Sequence, residues 1–515
     1  MKKSQLKAGA LLSYVQMALH IIVGLLYTPQ MIRLLGQNEY GLYNTVASTI
    51  SMLSILSLGF NASYIRFYSR YKSKDDTRSI SKLNGLFFII FTIMGTVALL
   101  CGIYLSNHLT LVFDTGLTDA EYVKARILML LLTLNLSISF PMTVFSCIIT
   151  AHERYVLLKT LGMLKTVVSP LVTLPLLLMG YGSIAMVSVT VAISLITDII
   201  YVFYVLRKLK TRFVFHDFEK GLLKEMFVFT FFIALNIVIN QINLNIDKLL
   251  LARFKGTAMV AIYSVGFALY AYYETFSTSI SNVFTPRIHK LVNAYPDPQE
   301  RRVALTDLFT RVGRIQYLIL GLVESGLVFF GKTFIVKFWA GSGYDDSYFV
   351  ALLLILPATI PLIQNLGLEI QRAQNKHQFR SIAYSIMAVL NLIVSIYLCQ
   401  LYGAVGSAIG TCLATIIANG FIMNIYYQKK CNIDVISFWK EILKLSRGMI
   451  LPVIAGVLLM LFVNLNSILL FILCVLGYTV LYCVSMWLFG VNEYEKTLLL
   501  KPLNKLRRKG NNQET

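Results

Sequence analysis

The sequence predicts an all-α, polytopic membrane protein, and three observations carry that expectation. Of 515 residues, 57% are hydrophobic and only 14% charged, with a mean hydropathy of +0.69, more apolar surface than a soluble core can hide. The apolar residues gather into fourteen runs long enough to span a bilayer, about 18 residues or more each. These runs lack the alternation of barrel strands, and in lipid a backbone must satisfy its own polar groups, so each is expected to be a helix.

Helix one, over 8–28, follows the basic opening MKKSQLK. The run is long, carries His20 and has no small-residue cleavage site, so it reads as a retained helix rather than a secretory leader. Ser13, Gln16, His20, Gly24 and Tyr27 give it a weak polar row. The stretch RLLGQNEYGLY, Arg33 to Tyr43, then interrupts the apolar sequence and reads as an outer turn. Helix two (41–65) carries Asn44, Ser48 and Ser51 and ends in LSLGFNASYIRFYS. There Arg66 would stand near a cytoplasmic entrance, where an anionic cargo phosphate needs a cation.

Helices three to six are expected over 83–105, 127–150, 160–180 and 183–206, with Lys165 and Asp198 at depth. Helix seven (226–250) places Asn236, Asn240, Asn243 and Asp247 at steps of four, three and four, hence on one face. Helix eight (259–283) follows Arg253 and carries Ser264, Glu274, Thr275, Thr278 and Asn282; helix nine (312–331) contains Glu324. Helices ten to fourteen are expected over 348–369, 381–401, 404–427, 448–465 and 468–489.

Ionisable groups inside spans are rare and mark function by default. The candidates for cargo contact are His20, Arg33, Asn44, Arg66, Lys165, Asn236, Asn240, Asn243, Asp247 and Arg253. Asp198, Glu274 and Glu324 are the candidates for ion coupling. A second reading stays open for each class: amide rows also form interhelical hydrogen bonds, and arginines at helix ends also anchor to lipid headgroups.

The opening turn returns at an offset of 220 residues as RFKGTAMVAIY. Arg33 matches Arg253, Gly36 matches Gly256, Tyr43 matches Tyr263 and Pro141 matches Pro361. The offset drifts to 221 for Tyr181-Gly182 against Tyr402-Gly403 and to 222 for Ala151 against Ala373. The expected organisation is therefore two parallel six-helix lobes, 1–220 and 221–430, with a third part, 431–515, holding two further helices and a basic tail.

Most of the 46 lysines and arginines fall on one side when both termini are placed in the cytoplasm, as the positive-inside rule requires. The net charge of +21 gathers in juxtamembrane clusters such as RFYSRYKSKDDTR, which suit anionic lipids rather than nucleic acid. The seven cysteines have neither metal nor redox spacing, so no metal and no cofactor is expected. GLVFFGKT, Gly326 to Thr333, fits the phosphate-loop pattern, but it ends an apolar helix instead of joining a strand to a helix. No loop exceeds roughly thirty residues, too little for a catalytic constellation, and no enzyme is expected.

Pro29 with RLLGQNEYGLY, then LSLGFNASYIRFYS, then NIDKLLLARFKG…AIYSVGFAL, resemble the Wzx-type oligosaccharide flippases of the polysaccharide-exporter branch of the MOP superfamily. The resemblance runs from residue 8 to about 490. It implies a two-lobed bundle in the bacterial cytoplasmic membrane, moving an undecaprenyl-diphosphate-linked oligosaccharide for capsule or O-antigen synthesis, with a polysaccharide polymerase and other assembly proteins as partners. Two competing readings remain: a MATE-like cation or drug antiporter, and a membrane glycan polymerase or ligase. Family members often have a cationic cavity, whereas this chain has only His20 and Lys165 as bases at mid-depth.

Overall fold

The computed structural model describes residues 2–113, 117–218, 220–282, 284–295, 297–376 and 378–497. Among these every regular element is helical. The first element, α1 (Lys2–Leu53), is a helical run that kinks at Gly36, whose φ of 75° and ψ of 169° leave the helical region. A 3-10 turn, Ser54–Ser57, and the left-handed residues Leu58 and Gly59 then separate it from α2 (Phe60–Lys72). The apolar run read as one helix two is thus broken, because two consecutive left-handed residues cannot continue a right-handed helix.

The chain continues through α3 (Thr77–Asn107), α4 (Asp119–Ala151), α5 (Tyr155–Leu178), α6 (Gly182–Phe203), α7 (Lys220–Phe254) and α8 (Thr257–Asn282). A short amphipathic α9 (Thr285–Ala294) precedes α10 (Pro298–Thr333), α11 (Asp345–Ile363), α12 (Leu366–Ala373) and α13 (Gln378–Thr415). Then come α14 (Asn424–Lys430), α15 (Val435–Ser446), α16 (Ile450–Phe462) and α17 (Ile468–Ser485), which a π-helical turn, Met486–Gly490, follows. Local capping chemistry sets several starts: Thr118 and Glu121 close a capping box on α4, while Asp76 and Asp434 cap α3 and α15. Hydrogen bonds from Ser437 hold the Asp434 carboxyl below its ordinary range.

Ten helical runs among the described residues are long and apolar enough to cross a membrane. Two of them, Leu11–Lys72 and Gln378–Lys430, each contain a glycine break and two of the expected spans. Large apolar side chains on α16 and α17, such as Phe462 at 79% exposure and Leu461 at 70%, face outward, as lipid contact requires. The sequence did not announce α15, a separate amphipathic helix ahead of α16. Nor is the phosphate-loop lookalike a loop, since Gly326 to Thr333 forms the end of α10.

Positive-φ residues recur in the backbone at the spacing of the sequence matches. Left-handed glycines recur at Gly36 and Gly256, with φ of 75° and 83°, and at Gly182 and Gly403, with φ of 66° and 58°. Two further pairs have no shared residue type: Glu153 and Asn375 (φ 59° and 56°), and Lys210 and Asn432 (φ 50° and 55°). All four pairs lie 220 to 222 residues apart. Non-glycine residues seldom adopt this conformation, so the backbone recurs at these positions where the side chains do not.

By packing, the chain forms two units: residues 1–265 with 384–410, and residues 266–383 with 411–515. The first has an aromatic centre in which Phe60, Tyr64, Phe87 and Phe91 meet edge to face with ring centroids 5.1 to 6.5 Å apart, geometry favoured by the ring quadrupoles. In the second, Phe309 and Phe438 lie 4.8 Å apart and bind α10 to α15.

Candidate functional site

In the first unit the two duplicated turns pack directly on each other. A Cβ on Gly41 would lie 1.8 Å from the Thr257 carbonyl oxygen, so only glycine lets the second half of α1 approach the start of α8 this closely. Beside the first turn, Glu39 pairs with Lys124 at 2.5 Å and accepts a hydrogen bond from the Ser183 amide at 2.6 Å. One carboxylate thus ties the turn to α4 and to the N-terminus of α6, where the helix dipole favours negative charge. A hollow of about 480 Å³ opens between residues 35–39, Leu42, Glu121 and Lys124.

Asp247 is 1% exposed and completes this end of the unit. Its Oδ2 accepts from Tyr263 Oη at 2.7 Å and its Oδ1 from Ser407 Oγ at 2.6 Å. Buried charges persist only when hydrogen-bonded in this way, and here the carboxylate joins α7, α8 and α13. The rest of its sequence row does not share the setting. Asn243 is half-buried and Asn240 exposed, while the side chain of Asn236, like that of Asn282, lies outside the described residues.

Another row of contacts from α7 lies on a neighbouring face. Glu225, Phe229, Ile233, Ile237 and Gln241 follow at every fourth residue and meet the broken second helix along its length. Arg70 Nη1 donates to both Glu225 oxygens, at 3.0 and 2.8 Å. The Arg66 guanidinium stands 4.2 Å from the centroid of Phe229. A Cβ on Gly59 would come within 2.4 Å of Ile233, and Gln241 donates to Ser54 Oγ at 2.8 Å. Arg66, singled out in the sequence, is therefore exposed but stacked, a cation–π arrangement. Sequence reasoning missed Arg70 and Glu225, because this row mixes charge, aromatic, aliphatic and amide and has no hydropathy signature.

Lys165 and Asp198 come together. Lys165 Nζ donates to Ser194 Oγ at 2.7 Å, and Asp198, one turn further along α6, lies within electrostatic reach of it. His20, Arg33 and Arg253 are exposed, the two arginines each three residues before a left-handed turn glycine. The Asn44 side chain donates to the Tyr40 carbonyl at 2.8 Å, a contact within its own helix.

The second unit holds the other acidic candidates. Glu324 accepts from Thr359 Oγ1 at 3.1 Å, and that hydroxyl also meets Tyr273 Oη at 2.7 Å. Glu274 is half-buried on α8. Earlier on the helix that carries Glu324, a stronger arrangement stands out. Arg314, 3% exposed, donates through Nε and Nη2 to both oxygens of Glu495 at 2.6 and 2.9 Å. It also bonds the Glu441 carbonyl at 2.7 Å and the Gly490 carbonyl at 3.1 Å. This clamp fastens α15 and the chain beyond α17 to α10. Nothing local in the sequence announces it, since the partners stand 127 and 181 positions away. Among the described residues, no group of His, Cys, Asp or Glu has the geometry to hold a metal ion.

A model of a family described as polysaccharide biosynthesis protein matches residues 6–292, more than half of the chain. No curated protein matches it by sequence. The fold is similar to that of a lipid II flippase, MurJ, in an inward closed conformation, with a TM-score of 0.72 at 14% identity over 96% of this chain and 99% of that one. It is also similar to an inward-facing multidrug resistance MATE family transporter of the MOP superfamily, at 0.58, 12% identity and 80% and 96% coverage. The Vibrio cholerae MATE transporter VcmN, in its bent form, is similar at 0.55, 15% identity and 84% and 98% coverage. At such identities the likeness establishes the fold and leaves the cargo open.

Proposed function

The chain belongs to the polysaccharide biosynthesis protein family, and on that premise we propose that it flips an undecaprenyl-diphosphate-linked oligosaccharide across the bacterial cytoplasmic membrane by alternating access. The family match is the observation that carries this reading. The fold, a multi-pass bundle of the kind found in flippases and transporters, supports it. The lobes would be 1–220 and 221–430, with both termini in the cytoplasm, and the polyprenyl tail would stay in lipid while the glycan and diphosphate pass between lobes.

Within this reading the cargo-facing cations are Arg66, midway along α2, and Lys165, which Asp198 balances electrostatically. Exposed His20, Arg33, Arg253 and Asn240, with half-buried Asn44 and Asn243, would line the path or meet headgroups. Asp247 acts instead as a structural tie. Glu324, on its hydroxyl chain, and Glu274 are the groups through which an ion gradient would act. Anionic lipids and the polymerase of the same pathway are the partners.

The test is transport in sealed proteoliposomes loaded with the lipid-linked oligosaccharide, read by enzymatic access to the outer leaflet. Movement that depends on the protein supports the flippase; chain growth of the glycan in detergent, without a sealed compartment, identifies a polymerase and removes it.

A further inference from the structure

We infer that Glu225 is a built-in competitor for the cargo's diphosphate, so that the contact of α2 with α7 is a gate which the cargo itself loosens. This rests on the flippase reading above. Arg70 binds Glu225 through one nitrogen shared between both carboxylate oxygens, at 3.0 and 2.8 Å. The side chains are 52% and 44% exposed, so with this end of α2 at the cytoplasmic face, as proposed above, an anion can reach the guanidinium without opening the bundle first. Arginine binds phosphate oxygens in the same forked geometry as carboxylate, and a diphosphate brings more negative charge than one carboxylate.

Four residues earlier on α2, Arg66 rests on the ring of Phe229, itself four residues after Glu225. A diphosphate drawn to both arginines would remove the charged contact and the stacked contact together. At the far end of the row Ile233 still packs against Gly59, the N-cap of α2, and the Gln241–Ser54 hydrogen bond ties α7 to the 3-10 turn that precedes α2. Exposed ion pairs are weak, and here weakness is the useful property: the closed state is favoured without cargo and cheaply reversed with it. Arg70 and Glu225 are positioning residues in this scheme, acting on which conformation the cargo meets.

The experiment is hydrogen exchange on the full-length protein in nanodiscs, read over residues 60–72. Inorganic pyrophosphate is the probe, with sulfate at matched ionic strength as control. Pyrophosphate is expected to raise exchange about two- to five-fold, the range an exposed ion pair allows. Glu225→Gln should show that raised exchange without pyrophosphate and respond little further. Exchanging the charges, Arg70→Glu with Glu225→Arg, should restore slow exchange, which separates a broken latch from a damaged fold. Indifference of the wild type to pyrophosphate, or a Glu225→Gln variant that exchanges like the wild type, overturns the gate. A normal gate response alongside failed transport of the lipid-linked oligosaccharide would keep the gate and discard the cargo; transport without any gate response would do the reverse.

Discussion

The first unit and the second each use an arginine to join distant parts of the chain through glutamate, and the two pairs could hardly differ more in setting. Arg314 and Glu495 are 3% and 4% exposed, with backbone carbonyls completing the guanidinium's bonds. Arg70 and Glu225 are 52% and 44% exposed. A buried pair that loses one partner leaves an uncompensated charge in low dielectric, so it fixes a structure. An exposed pair exchanges readily with water, salt or an anionic ligand, so it sets a balance between structures. The difference separates what is fastened as one piece, α10 with α15 and the chain beyond α17, from the exposed contact proposed above as a gate.

The severest challenge to this contrast is Arg314→Ala. It should cost about 3–5 kcal/mol, seen as a large fall in thermal stability in detergent; a variant as stable as the wild type would make the two pairs equivalent. Gly41→Ala comes next. Its methyl would meet the Thr257 carbonyl at 1.8 Å, forcing a backbone shift of about 1–3 kcal/mol, again read by thermal denaturation, while Gly36→Ala would be penalised for its φ of 75° alone. Asp247→Ala extends the contrast to a buried acid within the first unit. Removing this acceptor leaves the Tyr263 and Ser407 hydroxyls without it, at about 1–3 kcal/mol, with Asp247→Asn milder; equal stability of both variants would contradict the tie. Smallest in stability is Arg66→Ala, which gives up one exposed cation–π contact of about 0.5–1 kcal/mol. It should instead lower polysaccharide export at unchanged membrane abundance, and unchanged export would return Arg66 to anchoring at headgroups.

The same contrast marks where the sequence is readable. Hydropathy reveals the helices because lipid imposes one rule on every span, and each of the fourteen expected runs overlaps a helix. The repeat could be read where geometry demands glycine, as at Gly36 and Gly256, and not where Glu153 and Asn375 or Lys210 and Asn432 repeat a conformation with different side chains. Arg66 could be flagged from its position, but its stack on Phe229 could not, nor could the Arg314 clamp. Both depend on which helices become neighbours, and no periodicity along one helix encodes that. Asp247 shows the converse: the row through Asn240 and Asn243 suggested a wet face, whereas two hydroxyls from other helices enclose the carboxylate.

Whether this protein carries a lipid-linked oligosaccharide between leaflets is decided by deleting the gene in its native strain and asking which leaflet holds the completed repeat units. A flippase leaves units trapped on the cytoplasmic side, released by re-expression of the wild-type chain. Units that reach the outer leaflet and wait there unpolymerised would rule that role out.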